Sequence, residues 1–282
     1  MNISVLILIA SEKQSQFKEY GNYSIKLTKK IDEGGSGKIY MMDNGQIIKL
    51  YKNSIAGFTD FQETKNLVPS NKENREIPIF LKIIKDTEGK YKDIIAPYAL
   101  GLIKHEFIID NEIVRKNTYF SLMPYYELIK KHNLHKYSIL DLLYRIAKAE
   151  HLLEKYFNII HCDINFKNIV VEKDNFMLID YEIIKTIKDK VIDPGNKSKL
   201  WPKEKCEMKK LPVYSIAIMI VGLLIGTTVY SLSKKDILSK LKNKINDEEY
   251  NYLYNCLYLK YNSFQLINKI MEKRTEKIKN KT

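Results

Sequence analysis

Two carboxylates and one amide stand close enough in this chain to share a task. Residues 159–171 read Ile-Ile-His161-Cys162-Asp163-Ile-Asn165-Phe-Lys167-Asn168-Ile-Val-Val. A polar turn follows at Glu172-Lys173-Asp174-Asn175, then Phe-Met-Leu-Ile and Asp180. Two carboxylates and an amide that converge can hold a hard cation through oxygen ligands. One carboxylate is then left to orient a hydroxyl nucleophile. Positioning falls to a hairpin, because apolar runs on either side of a Lys-Asp-Asn turn predict two short buried strands over 169–171 and 176–179. Asp163 and Asn168 lie on the loop entering that hairpin, and Asp180 lies just past its exit.

This ordered set resembles the catalytic loop of the protein kinases, in which His-Arg-Asp is followed by an Asn five positions after the Asp. Asp180-Tyr181-Glu182 stands where that family has Asp-Phe-Gly. The resemblance implies Asp163 as catalytic base, with Asn168 and Asp180 as Mg²⁺ ligands. It assigns His161 to holding the loop. Asn165 replaces the lysine common in Ser/Thr kinases, and Lys167 is expected to supply that positive charge to the transferring phosphoryl group. Cys162 replaces the arginine that clasps a phosphorylated activation loop. Thr186 and Ser198 are the only serine and threonine between Asp180 and Trp201, so activity without loop phosphorylation is expected.

The glycine cluster upstream reads Ile31-Asp32-Glu33-Gly34-Gly35-Ser36-Gly37-Lys38-Ile39. Closely spaced glycines let backbone N–H groups approach phosphate oxygens without a Cβ clash. Ile47-Ile48-Lys49-Leu50 then resembles the kinase strand that carries the phosphate-binding lysine. On the family pattern, Gly34 and Gly37 match the second and third loop glycines, and Asp32 occupies the place of the first. ATP is accordingly expected against Ile31, Gly34, Gly35, Ser36, Gly37, Ile39 and Lys49. The glutamate partner of Lys49 is placed at Glu76, on a helix opened by a capping box at Ser70–Glu73. Pro78 interrupts that helix, and Glu73 and Glu63 stand as alternatives. A hairpin is expected around Asp110-Asn111. Tyr119 to Tyr126 resembles the last strand of a kinase N-lobe running into its hinge, with Met123 at the gatekeeper position and Tyr125 supplying the donor to adenine.

Ser138 is expected to cap a helix over 138–157, with Leu142, Leu143, Ile146, Leu153 and Phe157 at helical spacing. Residues 213–230 are uncharged, and their length approaches a bilayer span. We read them as a helix buried in a protein core, which is also apolar all round. Pro212 stands where kinases have an aspartate that anchors the catalytic loop. Trp201-Pro202-Lys203-Glu204 resembles the Ala-Pro-Glu that closes the activation segment, and Arg274 resembles the arginine that pairs with its glutamate, here Glu204.

The chain has 282 residues, 45% hydrophobic and 29% charged, a globular composition with room for one large domain or two lobes. The net charge of +13 comes almost wholly from lysine, and no nucleic-acid motif with aromatic interleaving accompanies it. Nucleic acid is therefore not an expected partner. Cys162, Cys206 and Cys256 show neither metal spacing nor a disulfide framework. They indicate a reducing, cytoplasmic compartment. The apolar run at 3–10 lacks a basic leader and is too short to span a bilayer, so it reads as an extra strand or helix on the first lobe.

The resemblance implies an α+β, two-lobed protein-kinase-like fold, with a small mostly-β N-lobe over 23–124 and a larger mainly α-helical C-lobe over 125–275. Residues 1–22 are an N-terminal extension in this reading, and 276–282 a basic tail. The expected activity is ATP- and Mg²⁺-dependent phosphorylation of Ser/Thr hydroxyls on a protein substrate by a monomer. Two alternatives remain open: a small-molecule kinase of the aminoglycoside or choline type, whose Ile-Asp-Trp/Phe/Tyr-Glu is similar to Ile179-Asp180-Tyr181-Glu182, and a pseudokinase acting as a binding scaffold.

Overall fold

The computed structural model describes residues 1–10, 17–34, 37–52, 99–125, 127–128, 136–172, 175–180, 184–187, 191–192, 200–226 and 231–280. Gly35, Ser36, Glu63, Glu73, Glu76, Pro78, Tyr181, Glu182 and Ser198 lie outside the described residues. The chain divides into two compact units, one of Met1–Tyr91 with Ile95–Tyr126, the other of Lys92–Ile94 with Glu127–Thr282.

The first unit is built on β1 (Asn2–Ala10), β2 (Phe17–Glu33), β3 (Gly37–Met42), β4 (Gln46–Tyr51), β5 (Ala99–Ile103) and β8 (Tyr119–Pro124). These six strands close into an antiparallel barrel in the order β1-β2-β3-β4-β8-β5. Apolar side chains alternate along each strand, so Ile3 with Val5, Ile25 with Leu27, Ile48 with Leu50 and Phe120 with Leu122 all enter one core. The apolar run at 3–10 is the extra strand expected on this unit. β1 pairs with β2 on one side and with β5 on the other, so Val5 opposite Ile103 completes the closure. The residues from Phe17 onward belong to strand β2. Closure removes the exposed sheet edges that an open sheet would leave unpaired.

Between β5 and β8 runs a hairpin of β6 (Phe107–Ile109) and β7 (Glu112–Val114). Its turn residues Asp110 and Asn111 both take positive φ, 51° and 61°, as a two-residue hairpin with a primed turn requires. Two polar contacts to β3 hold it: Tyr40 Oη donates to Asp110 Oδ2 at 2.8 Å, and Lys38 Nζ lies 2.6 Å from Glu112 Oε1.

The second unit contains the short strand β9 (Glu127–Leu128) and the helix α1 (Ile139–Phe157). Strands β10 (Ile159–His161), β11 (Ile169–Glu172), β12 (Asn175–Leu178), β13 (Ile184–Thr186), β14 (Val191–Ile192) and β15 (Cys206–Glu207) follow. Helices α2 (Leu211–Ile225), α3 (Lys234–Leu241), α4 (Asp247–Leu257) and α5 (Ser263–Lys279) complete it. Ser138 caps α1 by accepting from Asp141 N at 3.1 Å. α2 is long and apolar enough, with the turn before it, to cross a membrane, yet every residue from Leu211 to Gly222 is buried in the protein. α1 packs against α2, α5 and β12.

The contact between α1 and α5 corrects one expectation. The Arg274 guanidinium pairs with Asp141 at the start of α1 and lies 4.8 Å from the Tyr144 ring centroid. Glu204 pairs instead with Lys234 at the start of α3. Arg274 sits on α5, and α5 packs along α1, which brings Asp141 to the guanidinium.

Candidate active site

The helix α1 delivers the chain to the loop. Asn158 ends it in the left-handed region at φ 56°, its N–H donating to Glu154 O at 3.1 Å. The chain then enters β10, where His161 lies opposite Ile184 of β13. After Asp163, a single 3₁₀ turn over Phe166–Asn168 leads into the β11–β12 hairpin, in which Ile169 pairs with Leu178 and Val171 with Phe176. Asn165 caps this turn by accepting from Lys167 N at 2.9 Å. Its Nδ2 also donates to Asp163 O at 3.2 Å. Asn165, two positions after Asp163, is thus spent on the loop itself, while Lys167 is exposed.

Asp163, Asn168 and Asp180 are brought to one place. Asn168, 5% exposed, donates Nδ2 to Asp163 O at 2.8 Å and to Asp163 Oδ2 at 2.9 Å. Ile179 N donates to Asn168 O at 2.9 Å, which ties the residue before Asp180 to the same turn. Asp180 itself adopts φ 65°, a left-handed conformation that Asp tolerates better than most residues. His161 joins the three. Asp163 N donates to its Nδ1 at 3.2 Å, so Nδ1 carries no proton and Nε2–H donates to Ile179 O at 3.0 Å. Burial holds the His161 pKa below its ordinary 6.5, against smaller upward pulls from the Ile179 carbonyl, Asp163 and Asp180. A neutral imidazole therefore bridges the two carboxylate-bearing segments.

Two further residues reach this site that the sequence did not assign to it. Glu150, fully buried on α1, accepts the His161 N–H with both carboxylate oxygens, at 3.0 and 3.3 Å. Burial raises its pKa well above the ordinary 4.5, offset in part by that N–H, with Glu154 adding to the rise. Trp201, 8% exposed, donates Nε1–H to Cys162 O at 2.8 Å. Signals for both were present: Glu150 is a charge on the apolar face that runs through Leu143, Ile146 and Leu153, and Trp201 is the one tryptophan.

The remaining candidates lie in the first unit. Lys49 on β4 is 8% exposed, with Nζ 5.2 Å from the Tyr51 ring centroid. Ile48 and Leu50 face the barrel core, so Lys49 projects from the opposite face of the strand. On that face Ile47 and Met123 form a small cluster with Ile39. At the glycine turn, Gly34 N donates to Gly37 O at 2.9 Å. A Cβ at Gly37 would meet Leu50 O at 2.5 Å, whereas one at Gly34 would meet nothing within 4 Å. Gly37 is therefore required by the close approach of β3 to β4, and Gly34 leaves open space. Asp32 turns its carboxylate onto its own loop, accepting from Glu33 N at 2.8 Å. Glu33 is held by Lys30 at 2.6 Å and Lys52 at 2.7 Å, which lower its pKa to about 2, Lys30 most strongly. Ile31 and Tyr125 are exposed.

Among the described residues, no cluster of three or more His, Cys, Asp or Glu side chains is placed to hold a metal ion. The donor set that fits a hard cation is different: the Asn168 amide nitrogen is spent on Asp163, which leaves its oxygen as acceptor, and Asp180 adds a carboxylate.

No protein-family model matches the chain, and no curated protein matches it in sequence. Among solved structures it is similar to a ROP18 kinase domain in complex with AMP-PNP and sucrose. The likeness has a TM-score of 0.59 at 10% identity and covers 98% of this chain and 87% of that one. At that identity the likeness speaks for architecture, and it agrees with the loop, turn and hairpin described above: the chain has a protein-kinase-like α+β fold.

Proposed function

We propose that this protein is an ATP-dependent phosphotransferase that phosphorylates Ser/Thr hydroxyls of a protein substrate. The observation that carries the reading is the side-chain amide of Asn168 on the carboxylate of Asp163, with Asp180 held beside both through Ile179 and His161. Asp163 Oδ2 accepts from Asn168, so Oδ1 is the atom assigned to receive the acceptor proton. Asn168 and Asp180 are the residues that would hold Mg²⁺. The ion, when bound, neutralises charge on the phosphates. Lys49 and the backbone of Gly34 to Gly37 are assigned to the ATP phosphates, Ile31, Ile39, Met123 and Tyr125 to the adenosine, and Lys167 to the transferring group. Glu76, the assigned partner of Lys49, belongs to this proposal on the sequence alone. The nucleotide in the similar kinase domain supports ATP as co-substrate. Three buried free thiols support a reducing compartment.

A second reading rests on Ile179-Asp180-Tyr181-Glu182, which is similar to small-molecule kinases. One assay separates the two. The protein is incubated with labelled ATP and Mg²⁺ and offered a general protein substrate, a panel of small alcohols and aminoglycosides, or no acceptor, with Asp163→Ala in parallel. Label on protein that is lost in the variant is the expected result. Label on small molecules alone supports the second reading. ATP binding without turnover overturns both in favour of a scaffold.

A further inference from the structure

Pro212 occupies the place from which an aspartate side chain is expected to anchor the loop, and proline offers neither a side-chain acceptor nor an N–H. The loop is nevertheless held at successive main-chain groups. His161 N is bound by the carboxyl group of Glu150, at 3.0 and 3.3 Å. Cys162 O is bound by the Trp201 indole at 2.8 Å. Asp163 N is bound by His161 Nδ1, and Asp163 O by Asn168. Two of these ties come from outside the loop, one from α1 before it and one from the segment before α2.

We infer that Glu150 and Trp201 together are positioning residues that take over the loop-anchoring task vacated at Pro212 and set the orientation of Asp163. Both groups are buried, Glu150 completely and Trp201 to all but 8%. A buried N–H or C=O left without a partner destabilises the conformation that buries it. The loop that presents Asp163 therefore depends on both ties. Burial raises the Glu150 pKa, and the His161 N–H pulls it back down, so the tie favours the ionised carboxylate. The Trp201 tie also links the loop to the stretch that carries Glu204, through the carbonyl of the residue before Asp163.

The inference rests on the phosphotransferase reading for its kinetic consequence but not for its structural one. The test uses the full chain with Trp201→Phe, Glu150→Leu and Glu150→Gln. Leu253→Ala, a buried residue of α4, serves as a control that loses stability without touching the loop. Amide hydrogen exchange at 161–163 and steady-state kinetics are both read. Expected are at least tenfold faster exchange at 161–163 in Trp201→Phe and Glu150→Leu, recovery in Glu150→Gln, and no local change in Leu253→Ala. Expected with it is a tenfold or greater fall in kcat, with KM for ATP within threefold of the parent. Exchange at 161–163 that merely follows global stability in all four variants overturns the inference. So does local loosening in an active enzyme whose kcat is unchanged. If the parent has no phosphotransfer activity but the exchange pattern holds, the anchoring stands and the phosphotransferase reading alone falls.

Discussion

Asn168 donates one side-chain nitrogen to both the main-chain carbonyl and the carboxylate of Asp163, at 2.8 and 2.9 Å. A single buried amide thereby sets the direction in which the carboxylate points and turns its own oxygen away from it. Asp163→Ala is expected to reduce phosphotransfer by roughly 10²–10⁴-fold, the usual share of a general base, with ATP binding retained. Asn168→Leu is expected to lower turnover and to raise the Mg²⁺ concentration needed for half-maximal rate, because it removes the proposed ligand oxygen and the amide that orients Asp163. A Mg²⁺ titration of initial rates in each variant checks this.

Lys49 is a buried cation on β4. Lys49→Met keeps much of the aliphatic stem and removes the charge. If the ammonium meets a phosphate oxygen, the loss is about 2 kcal/mol, or roughly 30-fold in ATP affinity. Titration calorimetry with ATP measures it, with a melting curve to confirm that the barrel is intact.

The two matched glycines should separate. Gly37→Ala drives a Cβ into Leu50 O and is expected to cost about 1–3 kcal/mol of stability through displacement of β3 from β4. Gly34→Ala meets open space and is expected to leave stability unchanged. Any loss of ATP affinity in Gly34→Ala then reports on backbone approach to phosphate rather than on the barrel. Denaturant midpoints and nucleotide affinities for the pair decide it.

Stability should fall with rising pH in a window set by Glu150. Its carboxyl pKa lies well above 4.5 in the folded protein, so between 4.5 and that raised value the folded state binds more protons than the unfolded one. Its contribution is full below 4.5 and is lost as pH rises through the folded value, at up to about 1.4 kcal/mol per pH unit. Urea midpoints of the parent and Glu150→Gln, followed from 4.5 toward neutrality, should converge at the acid end and separate as pH rises.

Activity should not wait on phosphorylation of the segment after Asp180. Thr186→Ala and Ser198→Ala, and mass-spectrometrically unphosphorylated protein, are expected to retain the parental rate. A large gain in rate on stoichiometric phosphorylation at either position would contradict this.

Local chemistry made much of the site legible without coordinates. Apolar runs around a polar turn specify the hairpin at 169–178, Ser138 and the spacing of Leu142, Leu143 and Ile146 specify α1, and Asp110-Asn111 specifies a primed turn. Each depends on neighbours within a few positions, which periodicity and capping report directly. The order of Asp163, Asn168 and Asp180 along such elements carries the resemblance to the kinase catalytic loop.

Contacts between residues far apart in the chain were decided only by packing. Nothing in the run at 2–10 announces that it pairs with both β2 and β5 to close a barrel, because an apolar strand pairs with whichever edge is unsatisfied. Arg274 found Asp141, and Glu204 found Lys234, because ion pairs form between whatever charges helix packing brings together. The ties from Glu150 and Trp201 to the loop are of the same kind. The sequence by itself determined the order of the candidate residues and the local elements that present them. Only the tertiary structure decided what holds those elements still, because a buried polar group takes its partner from the three-dimensional neighbourhood rather than from its neighbours in the chain.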